Sequence, residues 1–169
     1  LDWKVLPGKM PQTFSKKKQP VRLAIRFDDA HADNVIYFRA AHAAWQLDET
    51  KKNLLDIADT KRAVTSEHNT LLWLASGELP VALRDWVSKG NTLMLAKDSV
   101  ITELKTAIPV WRNPQGKTLL QATALGQGRI LQWQQDLKPA SMPELLEAEF
   151  PQQLQSLLQA SPTAPSQAY

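Results

Sequence analysis

Thr70-Leu-Leu-Trp-Leu-Ala75 is an unbroken apolar run of strand length, the pattern of a β-strand covered on both faces. Ser76-Gly77-Glu78 follows as a turn. Leu79, Leu83, Trp86 and Val87 then recur at helical spacing, with Arg84, Asp85, Ser88 and Lys89 on the opposite face. Pro80 suits the first helical turn, where a missing N–H loses no bond, and Gly90 stands where a left-handed residue would end the helix. Asn91-Thr-Leu-Met-Leu-Ala96 is a second buried run, so the stretch from Asn69 to Ser99 reads strand, helix, strand. Strands joined through a helix lie parallel. The turns leaving them, Ser76-Gly77-Glu78 and Lys97-Asp98-Ser99, then open on one sheet edge, where open α/β folds hold ligands.

Upstream, Val21-Arg-Leu-Ala-Ile-Arg-Phe27 alternates. Val21, Leu23, Ile25 and Phe27 share one face and Arg22, Ala24 and Arg26 the other, which predicts a half-covered first strand. Asp28-Asp29-Ala-His31-Ala-Asp33 is its loop, and Asp33 is placed to cap a helix over residues 34 to 47. Spacing on that helix predicts a solvent stripe of Arg39, His42, Gln46 and Glu49, with Ile36, Ala40, Ala43, Ala44 and Leu47 facing inward. Leu54-Leu-Asp-Ile57 reads as a short strand and residues 60 to 67 as a polar helical turn.

Downstream, residues 100 to 107 read as a brief helix, Ile108-Pro-Val-Trp111 as extended, and Asn113-Pro-Gln-Gly116 as a turn. Residues 118 to 125 and 129 to 135 form a hairpin joined by Gly126-Gln-Gly128, with Leu131 and Trp133 on a packed face. Phe150, Leu154, Leu157 and Leu158 make the stripe of a last helix, with Pro151 in its first turn. Six tryptophans are many for this length. Trp73, Trp86 and Trp133 fit the core, whereas Trp3 and Trp111 lie in poorly patterned segments and are candidate exposed anchors.

A chain of 169 residues, 43% hydrophobic, can hold one domain with a full core. No apolar run approaches the roughly 20 residues that cross a bilayer. The start at Leu1 and the end in Ser161-Pro-Thr-Ala-Pro-Ser-Gln-Ala-Tyr169 point to a piece of something longer. The absence of cysteine excludes disulfides, thiolate metal sites and thiol nucleophiles. The net charge of +3 is uneven, because residues 1 to 26 hold seven Lys or Arg against one Asp. Residues 1 to 20, with Lys16-Lys17-Lys18, read as a basic linker or arm, residues 21 to 160 as a single α/β domain, and residues 161 to 169 as a disordered tail. A solvated linker explains the arm, and no nucleic acid is expected as a partner.

Asp28, Asp29, His31 and Asp33 gather oxygen and imidazole donors at a strand end, but Asp33 is accounted for as a cap and adjacent aspartates diverge in an extended chain. A polar loop is therefore the reading taken, and no metal is assigned. Ser76 or Ser99 with His31 or His68 would be a nucleophile and base, yet neither serine lies in a Gly-x-Ser-x-Gly elbow. No Gly-x-Gly-x-x-Gly follows the first strand and no Walker loop occurs, so no cofactor is assigned.

The central unit, Leu71-Leu-Trp-Leu-Ala-Ser-Gly77 with Leu79-Pro80, Trp86-Val87, Gly90-Asn91 and Leu93-Met-Leu95, resembles the class I glutamine amidotransferase-like, flavodoxin-like fold. Gly126-Gln-Gly-Arg-Ile130, Asp136-Leu137, Phe150-Pro151 and Leu154 resemble the amidotransferase-like region of bacterial aerotolerance-type membrane proteins, which carry paired N-terminal transmembrane helices. The resemblance spans residues 21 to 158. It implies a three-layer α/β sandwich with a mostly parallel central sheet and a C-terminal antiparallel hairpin. Where active members carry a cysteine, this chain reads Lys97-Asp98-Ser99, and the loop in the oxyanion position, Ser76-Gly77-Glu78, has no thiolate to serve.

The expectation is thus a non-catalytic ligand- or protein-binding domain, with hydrolase or metal-dependent chemistry as the alternative. Asp28, Asp29, His31, Ser76, Gly77, Glu78, Lys97, Asp98 and Ser99 are the candidate ligand-binding residues. The resemblance further implies envelope-protein or small-ligand partners, a membrane tether outside this chain and a periplasmic location, against which the lysine run favours the cytoplasm.

Overall fold

The computed structural model describes residues 20–47, 55–65 and 67–159. Residues 1–19 of the expected arm at residues 1–20, with Trp3 and the lysine run, lie outside these, as do Glu49, Leu54 and the expected tail at residues 161–169.

Nine strands and three α-helices follow in the order β1 (Leu23–Phe27), α1 (Val35–Gln46), β2 (Asp56–Asp59), β3 (Thr70–Leu74), β4 (Gly77–Glu78), α2 (Val81–Ser88), β5 (Thr92–Leu95), β6 (Ser99–Val100), β7 (Ile108–Arg112), β8 (Thr118–Leu125), β9 (Gly128–Trp133) and α3 (Phe150–Gln159), among the described residues. The main sheet runs β2-β1-β3-β5-β9-β8-β7. Its first five strands are parallel, and β8 and β7 continue antiparallel. Helices α1 and α3 cover one face through Val35, Phe38, Trp45, Phe150, Leu154 and Leu158, packed on Leu72, Met94, Leu131 and Trp133. Helix α2 covers the other face through Val87, against Leu71, Trp73, Leu93, Leu95 and Ile130. The result is the expected three-layer α/β sandwich.

The central crossover stands as read: Thr70↔Thr92 through Trp73↔Leu95 pair in parallel, and every residue of β3 is buried. Gly90 has φ +120 and donates to the Val87 carbonyl, closing α2. The hairpin does more than pack on the domain, because β9 joins the sheet parallel to β5. Gly128 allows this: a Cβ there would stand 2.0 Å from the Val87 oxygen and 2.2 Å from the Asn91 oxygen.

Five expectations are corrected. Strand β1 is covered on both sides, since Ala24 and Arg26 are each 0% exposed. Arg26 is tolerated there because its guanidinium donates to the carbonyls of Ile25, Asp56, Arg62 and Ala63 and to Asp56 Oδ2 at 2.7 Å. Residues 60–65 accordingly form turns and irregular chain rather than helix.

On α1 the burial stripe is Val35, Phe38, Ala41, His42 and Trp45, while Ile36 and Leu47 are 62% and 83% exposed. Two large aromatic side chains fix the helix rotation more strongly than a set of alanines, and they carry His42 inward. Asp33 does not cap α1. The N-cap is Asn34, without a side-chain capping bond, and Asp28 caps the short 3-10 turn Asp29–Asn34 instead. Trp111 is buried, its ring stacked 5.8 Å from Phe150 within a cluster that includes Phe38 and Trp133.

Candidate functional site

Helix α1 carries the chain from β1 outward to β2, whereas α2 carries it from β3 to β5 in the opposite direction along the sheet. The order therefore reverses between β1 and β3, and the carboxyl ends of these strands border the crevice where such sheets hold ligands. Four of the sequence-predicted residues meet there.

His31, on the 3-10 turn after β1, lies between two carboxylates: its Nδ1 is 2.6 Å from Asp28 Oδ1 and its Nε2 3.0 Å from Asp98 Oδ1. The ring is buried, while the Asp98 side chain is 54% exposed. Asp28 also accepts from the backbone N–H of His31 at 3.1 Å and from that of Ser76 at 3.0 Å. The Ser76 hydroxyl donates to Asp98 Oδ2 at 2.8 Å. One polar network thus ties together the ends of β1, β3 and β5.

The electrostatics follow from these bonds. Burial opposes charge on His31, but hydrogen bonds and attraction from Asp28 and Asp98 outweigh it and raise the imidazole above its ordinary 6.5. Burial likewise opposes charge on Asp28 and Asp98. Bonds from His31 and the Ser76 N–H prevail at Asp28, and bonds from the Ser76 hydroxyl and His31 at Asp98, so both carboxyls fall below their ordinary 3.8. A carboxylate at each nitrogen favours the imidazolium form of this ring.

Gly77 and Ser99 sit beside the network as parts of a two-strand parallel pair, Gly77↔Ser99 and Glu78↔Val100. The Gly77 N–H donates to the Asp98 carbonyl at 3.1 Å. The Ser99 hydroxyl is turned away from the crevice and donates to the Ala75 carbonyl at 2.5 Å. Glu78 is exposed on β4, and Asp29 and Asp33 are exposed on their turn, outside the network. Lys97 is 3.7 Å from Asp136, with both side chains more than half exposed.

Among the described residues, none of the candidate serines pairs with a histidine. Both nitrogens of His31 face carboxylates, Ser76 faces Asp98, Ser99 faces a carbonyl, and His68 bonds Thr65 at 3.0 Å at the opposite end of β3. The carboxylates of Asp28 and Asp98 lie on opposite sides of the His31 ring. Among the described residues, no group of three His, Asp or Glu side chains is arranged to hold a metal ion.

A cleft of about 260 Å³ opens next to the network, lined by Ala30, His31, Asn34, residues 96–98 and residues 135–138. The second half of that lining, Gln135, Asp136, Leu137 and Lys138 after β9, is absent from the sequence-derived set. Its signal is the parallel pairing of β9 with β5, which brings the end of β9 to the same edge. Gln132 and Asn34 complete the support. The Gln132 amide donates to the carbonyls of Ala96, Lys97 and Ser99, and Asn34 donates to the Leu137 carbonyl at 2.7 Å.

No protein-family model and no curated protein matches the chain. Among solved structures the chain is similar to a catalytic mutant of a GH42 beta-galactosidase from G. stearothermophilus, with TM-score 0.50 and 12% identity over 86% of this chain. The chain spans 31% of that enzyme's length. A likeness at this identity shows the mixed α/β fold and does not carry over the enzyme's chemistry.

Proposed function

We propose that this chain is a non-catalytic binding domain that takes a small ligand, or a segment of another envelope protein, in the cleft at the carboxyl ends of β1, β5 and β9. The observation that carries this reading is the engagement of His31, Ser76, Asp28 and Asp98 with one another. A general base needs a nitrogen free to accept a proton, and a nucleophile needs a base in reach. The side chains that would do that work instead hold three strand ends in register around an open, mixed-charge cleft. The amidotransferase-like resemblance supports the same reading, since the position of the nucleophile is Lys97-Asp98-Ser99. By the same resemblance we place the domain in a membrane-anchored bacterial envelope protein, facing the periplasm.

Two-dimensional amide NMR of the chain, titrated with amino acids, small carboxylates, inorganic phosphate and galactose, tests the binding reading. The expected result is a set of shifts confined to residues 30–34, 96–98 and 135–138, lost in Lys97→Ala/Lys138→Ala. Turnover of an ester, amide or galactoside that disappears in Ser76→Ala or Asp28→Ala would overturn it. Protease accessibility of the parent protein in spheroplasts tests the location, with cleavage expected from the outer side and protection contradicting it.

A further inference from the structure

We infer that His31 is a proton-operated latch on this cleft: doubly protonated, it ties the end of β1 to the turn after β5, and on losing one proton it must release Asp98. The inference concerns the regulation of the cleft proposed above and rests on that reading for its use. The mechanical claim stands on the geometry alone. An imidazolium donates from both nitrogens, and neutral imidazole from only one. With carboxylate oxygens at 2.6 and 3.0 Å from the two nitrogens, the neutral ring keeps one bond and turns a lone pair toward the other oxygen. The ring is buried, so water is poorly placed to relieve that contact.

The released partner is Asp98. Asp28 remains fixed by the backbone N–H groups of His31 and Ser76, whatever the state of the ring. Asp98 retains the Ser76 hydroxyl and its own backbone N–H on its side chain, ties to no other strand end than that of β3, and its side chain is 54% exposed, so it has solvent to turn into. Gln132 still holds the carbonyls of Ala96, Lys97 and Ser99, which confines the change to the Asp98 side chain, the Ser76 hydroxyl and the adjoining Gly77 N–H.

The charged groups that face the ring or share its cleft are Asp28 on its own segment, Lys97 and Asp98 after β5, and Asp136 and Lys138 after β9. Histidine is the member of this set whose charge ordinarily changes near neutrality. Both carboxylate bonds favour the proton, so the latch is shut in mildly acidic solution and opens as pH rises through the raised value. Opening removes one positive charge from the cleft wall and leaves Asp98 uncompensated.

Amide NMR and hydrogen exchange of the chain between pH 5.5 and 9, with no ligand present, test the latch. Ring nitrogen shifts should show both His31 nitrogens protonated at pH 6, with a midpoint above 6.5. Amides of Ser76, Gly77 and Asp98 should move with that midpoint, and their base-corrected exchange should rise roughly tenfold, the effect of losing one charge-assisted hydrogen bond. Asp98→Asn, which keeps the shape and removes the charge, should lower the His31 midpoint and uncouple those amides from it. A midpoint at or below 6.5, or strand-end amides that ignore the His31 titration, would overturn the latch while leaving the binding reading intact. An operating latch in a cleft that gives no shifts with any of the probes would overturn the binding reading and leave the latch standing.

Discussion

His31 and His42 are buried to almost the same degree, 8% and 6% exposed, yet they belong to opposite kinds of environment. At the strand ends, His31 has a carboxylate on each nitrogen, and its basicity is raised. On the buried face of α1, His42 packs edge-on against Trp45 with Nε2 unpartnered, and burial alone lowers its basicity. Burial therefore does not decide what a histidine does; its partners do. The strand-end region is polar, satisfied and built to be held together by charge, while the α1–α3 layer is held by apolar contact and tolerates an unpartnered nitrogen.

The contrast predicts different responses to substitution. Phe150→Ala strikes the apolar layer, where Phe150 is 2% exposed and touches Phe38, Trp111 and Trp133. Chemical denaturation should show a loss of about 3–5 kcal/mol. His31→Ala removes two charge-assisted bonds from a partly solvated network, and the same measurement should give a smaller loss of about 2 kcal/mol. That loss should be largest in mildly acidic solution.

His42→Leu should act in the other direction. Removing an unpartnered buried nitrogen while keeping apolar volume is expected to raise stability by about 1 kcal/mol, visible as a higher Tm. A loss of stability would mean that His42 has a partner role the contrast denies. Ser76→Ala, at an exposed hydroxyl, should cost only about 0.5 kcal/mol.

The pH dependences should also oppose each other. For His31 the folded value lies above 6.5, so its contribution is complete below 6.5 and is lost as pH rises through the folded value. Asp28 and Asp98 fall below 3.8 on folding, so theirs is complete above 3.8 and is lost as pH falls through the folded values. The strand-end network is therefore strongest between 3.8 and 6.5. His42, lowered on folding, favours the fold fully above 6.5 and less as the solution becomes acidic. Both variants should therefore depart from the parent chain as pH falls below about 6.5 and in opposite directions, His31→Ala with a deficit that is largest there and His42→Leu with an advantage that grows.

The parallel core was legible because the uninterrupted apolar runs at β3 and β5 flank a short amphipathic helix closed by Gly90, and each local signal agrees with the next. The site was legible in part. Parallel strands bring their carboxyl ends to one edge, which places Asp28, His31, Ser76 and Asp98 together without any knowledge of side-chain direction. The β9 end, with Asp136 and Lys138, was hidden because a hairpin signal tells how β9 pairs with β8 and nothing about its other neighbour. The face of α1 was misread because alanines fit either side of a helix, while Phe38 and Trp45 choose the buried one. Arg26 looked exposed because its partners, the carbonyls of Arg62 and Ala63, come from a segment with no sequence pattern.

The ring nitrogen shifts of His31 in the intact chain at pH 6 test the central claim most directly. Two protonated nitrogens, each donating to a carboxylate, are the predicted result. A neutral ring, with one nitrogen carrying no proton to donate to the carboxylate it faces, would contradict it.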